Sequence, residues 1–288
     1  MKKILLMTVA ALLLTSQALA APAPVAGDGK PVRLAYVEWD CATASTHLAK
    51  AVIEDKLGRK VEVLPVSAAA MWMAVASGDV DGMVTAWLPV THGDYLKKVE
   101  GKVKDLGPLV GGARLGWAVP DYVPLKSIEE LNANADKFKG KVIGIDPGSG
   151  LMKLSEKAMK EYGLNKLTLV EGSGATMTAA LDDAIRRKEW IVVTAWSPHW
   201  MFGRWKLHYL DDPKKVLGEE ERIHTVVRNG LDKDMPDVYA FLDRFRYADA
   251  NQLETLMAWN QEKGADLMAN ARRFMKEHPE LVKEWLAK

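Results

Sequence analysis

One five-residue pattern occurs twice, as Thr85-Ala86-Trp87-Leu88-Pro89 and as Thr194-Ala195-Trp196-Ser197-Pro198, and each copy closes an apolar run that follows a helical stretch and a charged turn. The preceding helices also begin alike, with Ser67-Ala68-Ala69-Ala70-Met71 answering Ser173-Gly174-Ala175-Thr176-Met177. Their equivalent place in a repeated strand order constrains the fold more than the matching residues do. It implies two similar lobes, each presenting a Trp from the carboxyl end of a strand. In open α/β sheets ligands bind outside that end, so two such ends facing each other make a cleft.

The flanking patterns agree. Apolar runs at Val32 to Val37, Val61 to Val66 and Val80 to Trp87 read as strands, separated by helical patterns at Ala44 to Leu57 and Ala68 to Ser77 that stop at Gly58 and Gly78. Strands separated by helices of this length imply crossover units and a mainly parallel sheet. A second run opens with the capping-box spacing Ser127-Ile128-Glu129-Glu130. It continues with a strand at Val142 to Ile145, a helix from Gly150 to Tyr162, a strand at Leu167 to Val170, a helix at Thr176 to Lys188 and a strand at Trp190 to Ala195. After about Arg222 the pattern is nearly all helical, in stretches 236–245, 248–263, 265–278 and 279–287. The expected fold is α/β. The first part of lobe 1 spans 31–122, lobe 2 spans 123–222, and C-terminal helices over 223–288 return to lobe 1.

Residues 1–20 read as a secretory signal: Lys2 and Lys3, an apolar run from Ile4 to Leu14, then Ala18-Leu19-Ala20 as a small-x-small cleavage site. That run is well short of the roughly 20 residues a spanning helix needs. Residues 21–30, rich in Ala, Pro and Gly, read as a flexible leader, and no Cys directly follows the cleavage site, so a lipid anchor is not expected. Cys41 is the single cysteine and has no internal disulfide partner, which leaves the core to hold an exported fold. With 48% hydrophobic residues the chain can build one. The formal charge is +1, and loss of Lys2 and Lys3 makes it −1, too little for a nucleic-acid surface.

Trp is the commonest aromatic, at ten residues. Trp39, Trp87 and Trp196 are each expected at a strand end. Any one of them alone reads as a core residue; three at equivalent exits, each beside a polar residue or Pro, read as a ligand cage. Indole faces attract a quaternary ammonium through the ring quadrupole and ask for no hydrogen bond from methyls that cannot donate one. Trp72, Trp117, Trp190, Trp205, Trp259 and Trp285 are assigned to packing, and Trp200 to buttressing Trp196.

The stretch Asp146-Pro147-Gly148-Ser149-Gly150-Leu151 turns from a strand into a helix N-terminus, where free backbone N–H groups suit an anion. A phosphate loop is the rival reading, but the Lys-Ser/Thr pattern is absent. His92, five residues after Trp87, is either a further donor or a solvated helix cap. No catalytic residue, metal or cofactor is expected. The six His form no His-x-x-x-His pair, there is no Gly-x-Ser-x-Gly elbow, and Cys41 has no base in view.

Four motifs in order then resemble the glycine betaine substrate-binding proteins of ABC importers. They are Glu38-Trp39-Asp40, Thr85 to His92, Gly144 to Met152, and Val193 to Phe202, and the likeness runs from about residue 31 to 285. The resemblance implies the two-lobed fold of type II periplasmic binding proteins, with the ligand cleft between the lobes. It implies a box of Trp39, Trp87 and Trp196 around the trimethylammonium group, with the ligand carboxylate held by His92 and the amides of Gly150 and Leu151. It also implies a monomeric, non-enzymatic protein of the periplasm that delivers its ligand to an inner-membrane permease. Some relatives carry the lobes in permuted order; here the lobe with Trp39 comes first. Two departures are Leu151, where relatives often have Ile, and Ala195, where many have Gly and which is expected to tilt Trp196. Carnitine, proline betaine and choline are alternative ligands on the same scaffold. An exported choline-ester hydrolase would need a nucleophile–base pair, and none is found.

Overall fold

The computed structural model describes residues 29–287. The expected signal at 1–20 and most of the leader lie outside the described residues. In chain order the elements are β1 (Val32–Tyr36), α1 (Asp40–Leu57), β2 (Val61–Pro65), α2 (Ala68–Ser77), β3 (Gly82–Leu88), α3 (Gly93–Lys98) and β4 (Val103–Pro120). Two short 3-10 turns, Ile128–Glu130 and Asn132–Phe138, precede β5 (Lys141–Ile143), α4 (Gly150–Glu161), β6 (Thr168–Val170), α5 (Gly174–Arg187), β7 (Val193–Ser197), α6 (Met201–Arg204) and β8 (Leu207–Tyr209). The chain ends with β9 (Glu221–Arg228), α7 (Leu231–Asp234), α8 (Pro236–Arg244), α9 (Ala250–Asn260), α10 (Leu267–Glu277) and α11 (Pro279–Trp285).

The internal echo is a real duplication of topology. β1 pairs in parallel with β2 and β3, and β5 pairs in parallel with β6 and β7. Ser67 and Ser173 both cap their helices, accepting from the N–H groups of Ala70 and Thr176. Trp87 and Trp196 occupy the same penultimate position of β3 and β7, and a cis peptide precedes the Pro in each copy.

Two strands that the hydrophobic pattern did not reveal make the sheet mixed rather than mainly parallel. Residues 103–113 of β4 pair antiparallel with β9, and residues 114–120 pair with β7 and β8, so one strand passes through both halves of the sheet. Gly107, Pro108, Gly111 and Gly112 break its apolar alternation, and the register shifts three times along the β9 pairing. Gly112, at φ 69, sits just before the strand leaves one sheet half for the other. The region after Arg222 is not all helical either. It opens with β9, in which exposed Arg222 and half-buried His224 alternate with buried Glu221, Ile223 and Thr225 before the buried pair Val226 and Val227. The capping box at Ser127 forms as expected but heads a single 3-10 turn.

The C-terminal helices start on strong signals, Pro236 and Pro279 at the first turn and Asp249 and Asp266 as caps. α8, α9 and α10 pack against α1. Trp285 anchors this layer, 4.9 Å from the Phe245 ring, with its indole N–H donating to the Arg246 carbonyl at 2.8 Å. A separate core lies around Trp117, Phe138 and Val192 in the other half, where the Trp117 N–H donates to Ser155 Oγ at 2.9 Å.

Candidate functional site

The strand exits bring Trp87 from β3 and Trp196 from β7 to one place. Trp39 arrives differently from expectation. β1 ends at Tyr36, and Trp39 is the N-cap of α1, which starts at Asp40 rather than at Ala44, an acidic residue in the first turn suiting the helix dipole. All three indoles are buried and line a single narrow cavity. His92, Gly150 and Leu151 line the same cavity, so the six expected residues are brought together.

His92 is fully buried, not a solvated cap. The Trp87 backbone N–H donates to its Nδ1 at 3.1 Å, so Nδ1 accepts and the ring proton belongs on Nε2. Burial, helped by the nearby Lys153 charge, pushes the pKa down to about 3, so the ring is neutral at ordinary pH. Nε2 is buried without a hydrogen-bond partner. An unmade hydrogen bond of this kind costs roughly 1–3 kcal/mol, which an acceptor in the cavity would recover.

Opposite His92, Ser149 caps α4, its hydroxyl accepting from the Met152 N–H at 3.2 Å. The N–H groups of Gly150 and Leu151 open that helix, and helix geometry provides no intrahelical acceptor for them. Free N–H groups at a helix start suit an anion. The glycine at 150 has a steric reason: a Cβ there would overlap Thr91 Cγ2 and the Thr91 carbonyl oxygen from across the cleft. Thr91 is itself pinned by the buried Glu221, which accepts from the Thr91 N–H at 3.1 Å and from its hydroxyl at 2.7 Å.

Sequence reasoning missed several neighbours. Cys41, Thr91, Leu115, Ile145 and Ser149 complete the lining. Burial and the adjacent Asp40 charge push the Cys41 thiol up to about 12, so it is a neutral apolar wall. Trp72, assigned to packing, stands edge-on behind His92 at 6.0 Å and stacks on Tyr95. Trp196 is supported by His199, T-shaped at 4.5 Å, with Trp200 one ring further back at 5.4 Å from His199. Local spacing carried no signal for the Trp72 contacts, because they join residues 20 or more positions apart; Trp200 backs Trp196 as expected, but through the ring of His199.

Among the described residues, no group of three His, Cys, Asp or Glu could hold a metal ion. What the cavity offers is three indole rings together with neutral N–H donors, with Trp39 tilted against His92 at 5.9 Å between ring centroids.

Residues 30–277 match the family described as the substrate-binding domain of the ABC-type glycine betaine transport system. The chain belongs to this family. It is thus of the substrate-binding kind and not an enzyme. The glycine betaine/carnitine transport binding protein GbuC of Listeria monocytogenes is 40% identical over 146 residues, which span 50% of this chain and 48% of that relative, about half the length of each. The crystal structure of the glycine betaine/L-proline-binding protein ProX from Borrelia burgdorferi is similar with a TM-score of 0.85 at 39% identity, covering 90% of this chain and 97% of that one. Lactococcal OpuAC, closed on glycine betaine, superposes with a TM-score of 0.84 at 39% identity, covering 89% of this chain and 99% of that one. The fold of this glycine betaine-type substrate-binding protein is the two-lobed one of periplasmic binding proteins. No helix among the described residues is long and apolar enough to cross a membrane.

Proposed function

We propose that the protein captures glycine betaine between its lobes and hands it to an ABC permease. The trimethylammonium group lies against Trp39, Trp87 and Trp196, and the carboxylate accepts from His92 Nε2–H and the N–H groups of Gly150 and Leu151. The observation that carries this reading is the buried, unpartnered Nε2–H of a neutral His92 in the same cavity as three indoles. A donor set without a carboxylate leaves an anionic group to be supplied by the ligand, and an aromatic set without one leaves the cation uncompensated by protein charge. A zwitterion with a methylated ammonium meets both conditions. Each indole contact contributes roughly 0.5–2 kcal/mol, so three with an anion site support micromolar binding.

In this reading the lobes divide within β4, near Ala113, and again just before β9, where Glu221 pairs with Ala113. A monomeric state, export through the signal at 1–20, cleavage and a free existence in the periplasm belong to the same proposal. Carnitine is a second reading, favoured by its place in the name of the Listeria relative. Titration calorimetry of refolded, ligand-free protein with glycine betaine, carnitine, proline betaine and choline tests the choice; the expected order puts glycine betaine first, and a preference for choline would remove the anion site from the reading.

A further inference from the structure

We propose that Tyr95 and Asp146, which do not line the cavity, are positioning residues that lock the anion end and the cation end of the box as the lobes close. The proposal rests on the binding reading above.

Tyr95 belongs to α3, on the lobe of His92. Its hydroxyl donates to the Gly148 carbonyl oxygen at 2.7 Å and accepts from Lys153 Nζ at 2.9 Å, both on the other side of the cleft. Gly148, at φ 82, lies in the turn that leads to Gly150 and Leu151. Holding its carbonyl fixes the direction in which the two following helix N–H groups face. The Tyr95 ring is itself held, stacked on Trp72 with 13° between planes and edge-on to His92 at 5.9 Å. One side chain thus touches both halves of the anion site, the His92 ring from its own lobe and the amide turn from the opposite lobe.

Asp146 does the corresponding work for the cation. It sits in the turn after β5, and its Oδ2 accepts from Trp39 Nε1–H at 3.1 Å. Trp39 is on the other lobe, at the N-cap of α1. Cation–π attraction depends on the face of the ring being presented, so a carboxylate that fixes the indole N–H fixes that face. When the lobes part, both donors turn to water and both contacts are lost. They weigh on the closed state alone, which places their effect in ligand release and not in encounter.

Stopped-flow Trp fluorescence, with glycine betaine and, in parallel, carnitine and choline, separates association from dissociation. Tyr95→Phe removes one oxygen and keeps the ring between Trp72 and His92; release is expected to be about three- to tenfold faster, with association within about twofold of wild type. Asp146→Ala should behave alike, while Asp146→Asn, whose amide oxygen still accepts, restores slow release. Unchanged melting temperatures of the ligand-free variants separate this from a general loss of fold. Wild-type release rates in both Tyr95→Phe and Asp146→Ala overturn the proposal. A wild type that binds only choline overturns the glycine betaine reading, and the choline release rates then decide the latch. A wild type that binds none of the three overturns both.

Discussion

The two copies of the Thr-Ala-Trp-x-Pro pattern each carry a buried His nearby, and the two histidines do opposite things. In the first copy His92 follows Trp87 by five residues; its Nδ1 accepts from the Trp87 N–H and its Nε2 is left without a partner beside the cavity. In the second, His199 follows Trp196 by three residues; its Nδ1 accepts from the Met201 N–H, and its Nε2, though not aligned for a hydrogen bond, lies 3.2 Å from Asp40 Oδ2 on the other lobe. Both rings are fully buried. In the proposed binding mode the His92 proton is kept for the ligand, while the His199 ring faces a carboxylate of the protein.

The sharpest way to break this asymmetry is to prevent the first copy from meeting its partner turn. Gly150→Ala sets a methyl against Thr91 across the cleft, and glycine betaine affinity should fall by roughly a hundredfold, the cost of overpacking a site that cannot give way. Calorimetry checks it, and Ser149→Ala, which removes only a cap, should cost about 1 kcal/mol of fold stability with less effect on binding. Next in size is the pair of histidines. His92→Ala should weaken glycine betaine by about 1.5–3 kcal/mol, the range for hydrogen bonds to charged groups, and leave choline nearly unchanged. His199→Ala should weaken both ligands equally, by about 1 kcal/mol, since it loosens a lobe contact and no ligand contact. Unequal losses in His199→Ala would erase the distinction drawn between the copies.

Trp196→Ala tests the part the two copies share. Loss of one indole should cost about 1–2 kcal/mol for glycine betaine and choline alike. The smallest effect is expected from pH. Between pH 6.5 and about 3 the unfolded chain takes up a proton at His92 that the folded chain refuses. The stability due to the neutral ring is therefore complete above pH 6.5 and is lost as pH falls toward 3. Melting temperature should drop on acidification less steeply in His92→Gln than in wild type. Over about pH 5 to 8 the affinity for glycine betaine should stay flat, because the donor keeps its one proton throughout.

Much of this was legible in the residues themselves. The repeated Trp at a strand exit, the helix caps at Ser67 and Ser173, and the Pro-Gly-Ser-Gly turn into α4 are local signals, each set by neighbours in sequence. β4 and β9 were hidden because glycines, Pro108 and alternating charges blur a period of two that is satisfied only when the strands meet. The exit of Trp39 was misread as a strand end because the dipeptide after β1 is still apolar-acidic, and only Asp40 in the first helical turn decides it. The supporting contacts, Tyr95 on Gly148, Asp146 on Trp39 and Thr91 on Gly150, join residues 53 or more positions apart, and nothing in local spacing announces them.

In the proposed binding mode, one buried neutral imidazole selects a zwitterion over a bare cation in an otherwise aromatic box. Calorimetric titration of glycine betaine and choline into wild type and His92→Ala tests it most directly. Glycine betaine should bind wild type about tenfold or more tighter than choline, and the gap should close in His92→Ala. Equal affinity of the two ligands for wild type, or a gap that survives the substitution, would contradict it.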